Sequence, residues 1–212
     1  LYALPDASPL IDVEFSDVSV RLPGGRIALK NATGALRAGR LAAIIGPSGA
    51  GKSTLLRLCA TLLKPQQGQI LYEGMPIDED KHRYLRDMGS IAHESRLYRD
   101  LTPRENLHLF GVLYELKDLP LRIPRALQDV QLSHAIDLPV KTFSSGMTKR
   151  TAIARLLLQQ PKLLLLDEPY AGLDQNSVRW FQEYLLDFRN QGGTLLLVTH
   201  QLELGLELAT RV

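Results

Sequence analysis

The sequence has a single cysteine, no long apolar run and no excess of charge of one sign. Cys59 stands alone among 212 residues, which excludes an internal disulfide and fits a reducing compartment. No apolar stretch approaches the roughly 18 residues needed to span a bilayer, and the first residues lack a basic-then-apolar signal. We therefore expect a soluble protein. The formal net charge of +2 provides no broad basic surface, so no nucleic-acid partner is expected.

Residues 46–53, GPSGAGKS, match the phosphate-binding pattern G-x-x-x-x-G-K-[ST]. The apolar residues 41–45 predict the strand that precedes such a loop, and residues 54–60 predict the helix that follows it. Glycine backbones can turn several amide N–H groups inward, and the helix N-terminus adds partial positive charge at the same point. A chance match in a glycine-rich turn is the alternative interpretation, which the strand–loop–helix context disfavours. The pattern indicates binding of a nucleoside triphosphate.

The roles of the loop residues follow from this pattern. Lys52 is expected to reach the β- and γ-phosphates and is also counted as catalytic, while the Ser53 hydroxyl is expected to bind Mg²⁺. Thr54 is a further candidate phosphate contact. The predicted nucleotide-binding residues of this segment are Gly46, Pro47, Ser48, Gly49, Ala50, Gly51, Lys52, Ser53 and Thr54.

Two later leucine runs end in polar residues of the kind that surround a nucleotide phosphate. One ends with Asp167 and Glu168, and the other leads to His200. A carboxylate at the end of a buried strand needs a cation or strong donors, so Asp167 is predicted to hold Mg²⁺ with Ser53. Glu168 is the candidate base for the attacking water, and His200 would contact the γ-phosphate. The alternative is that the carboxylates cap a turn and the histidine is a packed residue.

The apolar patterning predicts an α/β fold. Residues 13–22 and 27–33 alternate as half-buried strands do, which predicts an antiparallel layer before the phosphate loop. Strands that alternate with helices later in the chain predict a mostly parallel core. We expect residues 1–212 to form one domain.

A helical subdomain is predicted to be inserted into this core at about residues 95–157. Thr102 and Glu105 have the spacing of a capping box at the start of its first helix. Leucines at helical spacing continue along the segment, with breaks expected at Pro120 and Pro124.

A serine- and glycine-rich turn, Ser144 to Gly146, precedes another helix. Hydroxyls and a helix N-terminus suit an anion, although this signal alone is weak. Because the turn lies at the tip of a separate segment, we expect it to serve a nucleotide bound by a second copy. Lys149 and Arg150 oppose the helix dipole, which favours an anion nearby.

Together these motifs resemble an ATP-binding-cassette (ABC) ATPase. The motifs that stand in the family's order are residues 46–53, 163–168, 171–174 and His200. The resemblance implies a P-loop cassette that binds ATP and Mg²⁺ and pairs head to tail with an identical or a second ABC ATPase subunit. Each ATP would lie between one copy's phosphate loop and the other copy's Ser144 and Gly146. It further implies a cytoplasmic subunit, peripheral on the inner face of the cell membrane, whose ATP hydrolysis powers a separate permease.

The chain departs from the family pattern at three positions. Met147 replaces a glutamine that could donate a hydrogen bond, and Leu22 stands where an aromatic residue often stacks on adenine. His93 occupies the position of a glutamine and could bind water near Mg²⁺. With residues 101–109 and the Thr199–Gln201 triplet, it resembles the ATPase of the haem exporter used in cytochrome c biogenesis.

Three alternatives stay open at this point. The chain could serve another exporter, including a multidrug-type permease. It could be a soluble P-loop phosphotransferase, which would leave the Ser144 to Gly146 turn unexplained. It could also be an ABC ATPase without a transport role. For the transporter reading, Tyr98 and Phe110 are candidate apolar anchors for the permease.

Overall fold

The computed structural model describes residues 11–92 and 95–200. Within them, the first strands form an antiparallel four-stranded sheet in the order β2-β1-β4-β5. This sheet confirms the predicted antiparallel layer. Its strands are β1 (Val13–Arg21), β2 (Ile27–Leu36), β4 (Gln67–Tyr72) and β5 (Met75–Pro76).

The second sheet is parallel and has the order β3-β8-β7-β6. Its strands are β3 (Leu41–Ile44), β6 (Met88–Ile91), β7 (Leu163–Asp167) and β8 (Thr194–Val198). Strands β7 and β8 are buried on both faces, as their unbroken leucine runs require. Leu163 and Leu165 join the apolar cluster shared with the antiparallel sheet, whereas Leu164 and Leu166 join the cluster on the opposite face.

The helices pack on both faces of the parallel sheet, which confirms the predicted α/β class. They are α1 (Lys52–Cys59), α2 (Lys81–Asp87), α3 (Pro103–Leu113), α4 (Leu119–Asp129), α5 (Ser145–Gln159) and α6 (Gln175–Asn190). Short 3-10 helices occupy Ile77–Glu79, Ser133–Ala135 and Val140–Thr142. Cys59 at the end of α1 is buried, and this burial raises the pKa of its thiol to about 12, so it is an inert core residue.

Helices α3, α4 and α5 pack on one another, and α5 also contacts β6 of the core. The boundaries of the inserted subdomain at about 95–157, within one domain 1–212, stay a prediction. Along the described ranges, no helix combines the length and the hydropathy needed to cross a bilayer.

Pro124 lies inside α4 and does not break it, so that prediction was wrong. The break expected at Pro120 falls just before it, because α3 ends at Leu113 and α4 begins at Leu119, with Pro120 in its first turn. Pro124 removes one N–H from the second turn of the helix and costs stability there. Ile123 and Leu127 on either side of this turn are buried in the core, and their burial offsets that cost.

Helix α3 begins with the predicted capping box. The Thr102 hydroxyl accepts a hydrogen bond from the Glu105 N–H at 3.2 Å, and the Glu105 carboxylate accepts one from the Thr102 N–H at 2.8 Å. These bonds satisfy two backbone donors at the helix start. Hydrogen bonds from the Thr102 N–H and from the Thr102 hydroxyl lower the pKa of the Glu105 carboxyl.

We predict that Thr102→Ala lowers the free energy of unfolding by about 1 kcal/mol, because one N–H of the first turn loses its acceptor. Urea denaturation followed by circular dichroism measures the change. Thr102→Ser keeps the hydroxyl and should retain most of the stability. Equal stability of the alanine variant and the original chain would contradict the role of this cap.

Candidate functional site

The phosphate loop joins β3 to α1, as the sequence predicts. Gly51 precedes the helix with φ +91°, and a Cβ on this residue would lie 2.4 Å from the Ala28 carbonyl oxygen. Gly49 is also left-handed, at φ +83°. Gly46 is not in the left-handed region, so the conformational freedom expected of all three glycines is needed at two of them.

Lys52 closes over the loop that precedes it. Its ammonium Nζ donates hydrogen bonds to the carbonyl oxygens of Gly46 at 2.7 Å and Pro47 at 2.9 Å. The cation is therefore held at the first residues of the loop, while its own backbone begins α1. An incoming phosphate would meet both the ammonium and the positive end of the helix.

Asp167, the last residue of β7, lies beside the first turn of α1. The Asp167 side chain is 5% exposed, and its Oδ1 accepts a hydrogen bond from the Ser53 hydroxyl at 3.1 Å. A buried carboxylate needs strong partners, and one neutral hydroxyl satisfies only part of that need. The two residues predicted to share a metal ion are thus in contact, although 114 residues separate them.

Glu168 and His200 meet at the ends of neighbouring strands. The imidazole Nδ1 of His200 lies 2.9 Å from the carboxylate Oε1 of Glu168. The Thr199 hydroxyl donates to the other oxygen, Oε2, at 3.4 Å. The His200 side chain is 70% exposed, so it is not the packed residue of the alternative interpretation. Thr199 was missed by the sequence reasoning, although it directly precedes His200 at the strand end.

The backbone of Glu168 is left-handed, with φ +47°. This conformation costs a residue with a Cβ roughly 1–2 kcal/mol and needs support from the surroundings. The Glu168 N–H donates to the Val198 carbonyl at 2.9 Å. The turn after β7 therefore directs Glu168 away from the strand while its amide stays anchored to β8.

The turn before α5 is capped by its own serine. The Ser144 hydroxyl accepts a hydrogen bond from the Met147 N–H at 3.2 Å, and Ser144 itself is exposed. A Cβ on Gly146 would lie 2.8 Å from the Gly172 carbonyl oxygen, so this position has room for glycine alone. The side chain of Met147 is partly buried and packs against the core cluster. Among the described residues, no hydrogen bond joins Ser144 or Gly146 to the phosphate loop of the same chain.

Lys149, the fifth residue of α5, points at the carboxyl end of β7. Its Nζ donates to the Glu168 carbonyl oxygen at 3.3 Å. Burial lowers the pKa of Lys149, and the carboxylates of Asp167 and Glu168 oppose that shift. The anion expected near this lysine is therefore supplied, at least in part, by the protein's own carboxylates.

A cleft of about 540 Å³ opens between the end of β6, the start of α5 and the turn after β7. Arg99 and Phe143 are among the residues that line it. Near it, Tyr98 is 55% exposed, and its ring centre lies 6.4 Å from that of Phe110. The guanidinium of Arg155 covers the Phe110 ring at 4.7 Å, so Tyr98 is the more accessible of the two predicted anchors. The predicted nucleotide contact His93 lies outside the described residues.

The chain is similar in sequence to known proteins. The ABC transporter family profile matches residues 29–171. A cytochrome c biogenesis ATP-binding export protein of Pseudomonas fluorescens is 37% identical over 175 residues, covering 82% of each chain. A lantibiotic transport ATP-binding protein of Streptococcus pyogenes is 36% identical over 180 residues, covering 84% of this chain and 75% of that protein.

Solved structures show the same fold. A dimeric ATP-binding cassette, solved in a post-hydrolysis state with ADP and phosphate, superimposes with a TM-score of 0.81 at 27% identity and covers 91% of this chain and 90% of that one. An ATP-binding subunit of an ABC transporter has a TM-score of 0.84 at 29% identity, over 93% of this chain and 82% of that one. The chain therefore belongs to the ABC transporter family, as an ATP-binding subunit that hydrolyses ATP.

Proposed function

We propose that this chain is the ATPase subunit of an exporter and works as a head-to-tail dimer at the inner face of the cell membrane, beside a separate permease. The observation that carries the proposal is the meeting of Ser53 with Asp167 and of Glu168 with His200 at one edge of the parallel sheet. In open α/β sheets, ligands bind at the carboxyl ends of the strands. A nucleotide on the phosphate loop would extend its terminal phosphate toward this edge.

The residues at this edge fit Mg²⁺. The Ser53 hydroxyl and the Asp167 carboxylate supply hard oxygen ligands, and Asp167 is buried with unused acceptor capacity. That arrangement suits Mg²⁺, which commonly takes one or two protein oxygens and completes its shell with phosphate and water. When bound, Mg²⁺ would neutralise charge on the β- and γ-phosphates.

Glu168 is proposed as the base that accepts a proton from the attacking water. The water oxygen forms the new bond to the γ-phosphorus as the bond to the ADP oxygen breaks. His200 and Thr199 hold the two oxygens of the Glu168 carboxylate, which fixes its orientation before the water arrives. Lys52 stabilises negative charge on the phosphates during the transfer.

The second nucleotide contact is proposed to come from the partner copy. Ser144 and Gly146 lie at the N-terminus of the 15-residue helix α5, where backbone N–H groups favour an anion. In the described part of the chain, no hydrogen bond joins them to their own phosphate loop. The dimeric form of a structural relative supports this pairing. An identical copy or a second cassette could fill the partner's place.

For the cargo, we propose haem, exported for cytochrome c biogenesis. Support comes from the cytochrome c biogenesis export proteins of three species, which are 35–39% identical to this chain. The lantibiotic protein and a Nod factor export protein, at 36% and 31% identity, support another exporter as the alternative. His93 would contribute a water or nucleotide contact in either case.

We predict that Glu168→Gln traps a dimer in the presence of ATP and Mg²⁺, because the nucleotide still closes the interface while hydrolysis is lost. Gel filtration with light scattering measures the mass, and phosphate release measures turnover. Glu183→Gln, an exposed change on α6, is the matched control. A monomer that still binds ATP would contradict the dimer and favour a soluble phosphotransferase.

We predict that a membrane permease co-purifies with the tagged chain from its native cells, and that Tyr98→Ala reduces its recovery. Met75→Ala removes another exposed apolar residue, on the antiparallel sheet, and should leave recovery unchanged. Mass spectrometry identifies the partner. Recovery with cytochrome c maturation proteins supports haem export, a different permease contradicts that cargo, and no membrane protein contradicts the transport role.

A further inference from the structure

The carbonyl oxygen of Glu168, like its side chain, has two hydrogen-bond partners. The oxygen accepts a hydrogen bond from Lys149 Nζ at 3.3 Å and another from the Ala171 N–H at 3.2 Å. On the other side of the residue, the Glu168 N–H donates to Val198. Because the residue is left-handed, each of these bonds helps to keep a conformation that the backbone does not favour by itself.

Placing the Lys149 ammonium in this partly buried position costs free energy unless nearby groups stabilise its charge. A cation near the N-terminus of a helix opposes the helix dipole, and Lys149 is also withdrawn from solvent. The compensation comes from the Glu168 carbonyl and from the negative charges of Asp167 and Glu168. The lysine thus connects the start of α5 to the catalytic end of β7.

The first turn of α5 contacts the residues that follow Glu168. Gly146 approaches the Gly172 carbonyl too closely for a side chain, and a Cβ on Gly172 would lie 3.3 Å from the Ser145 hydroxyl. Lys149 is one helical turn further along. The start of α5 and residues 168–172 therefore pack as one block. This block links the turn proposed to contact the partner's nucleotide to Glu168, the proposed catalytic base of the same chain.

We propose that Lys149 is a positioning residue for Glu168: it holds the carbonyl of the proposed base and so couples the placement of α5 to hydrolysis in the same protomer. The proposal rests on the proposed role of Glu168. It assigns Lys149 to the chain's own active site, whereas Ser144 and Gly146, one turn earlier, serve the partner's nucleotide. Loss of the lysine should therefore slow hydrolysis and spare ATP-driven dimerisation.

The test is Lys149→Met in the full chain, since methionine keeps much of the length and removes the donor. We expect kcat for ATP hydrolysis to fall about 10-fold or more, because the base is misplaced, while the Kd for ATP changes less than about twofold. Lys149→Arg restores a donor and should recover much of the rate. Lys141→Met removes an exposed lysine outside α5 and is the matched control.

A second measurement separates positioning from damage to the α5 turn. In the Glu168→Gln background, adding Lys149→Met should leave the ATP-trapped dimer intact. Loss of that dimer, or an unchanged kcat in the single variant, would overturn the proposal. If Glu168→Gln alone neither stops hydrolysis nor traps a dimer, the proposed function fails instead, and the two failures are thereby distinguished.

Discussion

The contact between the Ser53 hydroxyl and the Asp167 carboxylate is the point on which the rest of the site depends. It joins the first turn of α1 to the end of β7 and keeps a buried carboxylate beside the phosphate loop. Burial of that carboxylate is tolerable because the site offers it a hydroxyl, and because a metal ion can complete its coordination. The leucines of β7 are buried on both faces of the sheet, and pairing with β6 and β8 sets the position of Asp167 at the end of the strand.

The neighbouring strand adds the second half of the chemistry. Pairing of β7 with β8 places Glu168 beside Thr199 and His200, and both oxygens of its carboxylate have partners. The left-handed backbone of Glu168 is then supported from three directions: β8, the turn that follows and α5. The contacts that support this left-handed backbone fit the role proposed for Glu168, that of a pre-organised base.

Much of this site could be predicted because its signals are local. The glycine loop, the leucine runs and the Thr102 cap each define their own element, and parallel strands bring their carboxyl ends to one edge. Long-range packing decided the remainder. Pro124 stays within α4 because buried neighbours offset its cost, and Lys149 faces Glu168 because α5 packs against the turn after β7. Neither the continuation of α4 through Pro124 nor the bond from Lys149 to Glu168 can be predicted from the spacing of residues in the sequence.

The most direct test is to measure the affinity of the full chain for Mn²⁺ in its complex with ATP, by electron paramagnetic resonance. Mn²⁺ is used in place of Mg²⁺ because it gives a signal. We expect Asp167→Asn, which preserves the size of the side chain, to weaken Mn²⁺ binding at saturating ATP by about 10-fold or more. Asp78→Asn, an exposed change in a 3-10 helix, should have no effect. Equal Mn²⁺ affinity in the Asp167 variant and the original chain would contradict the claim that this buried carboxylate organises the site.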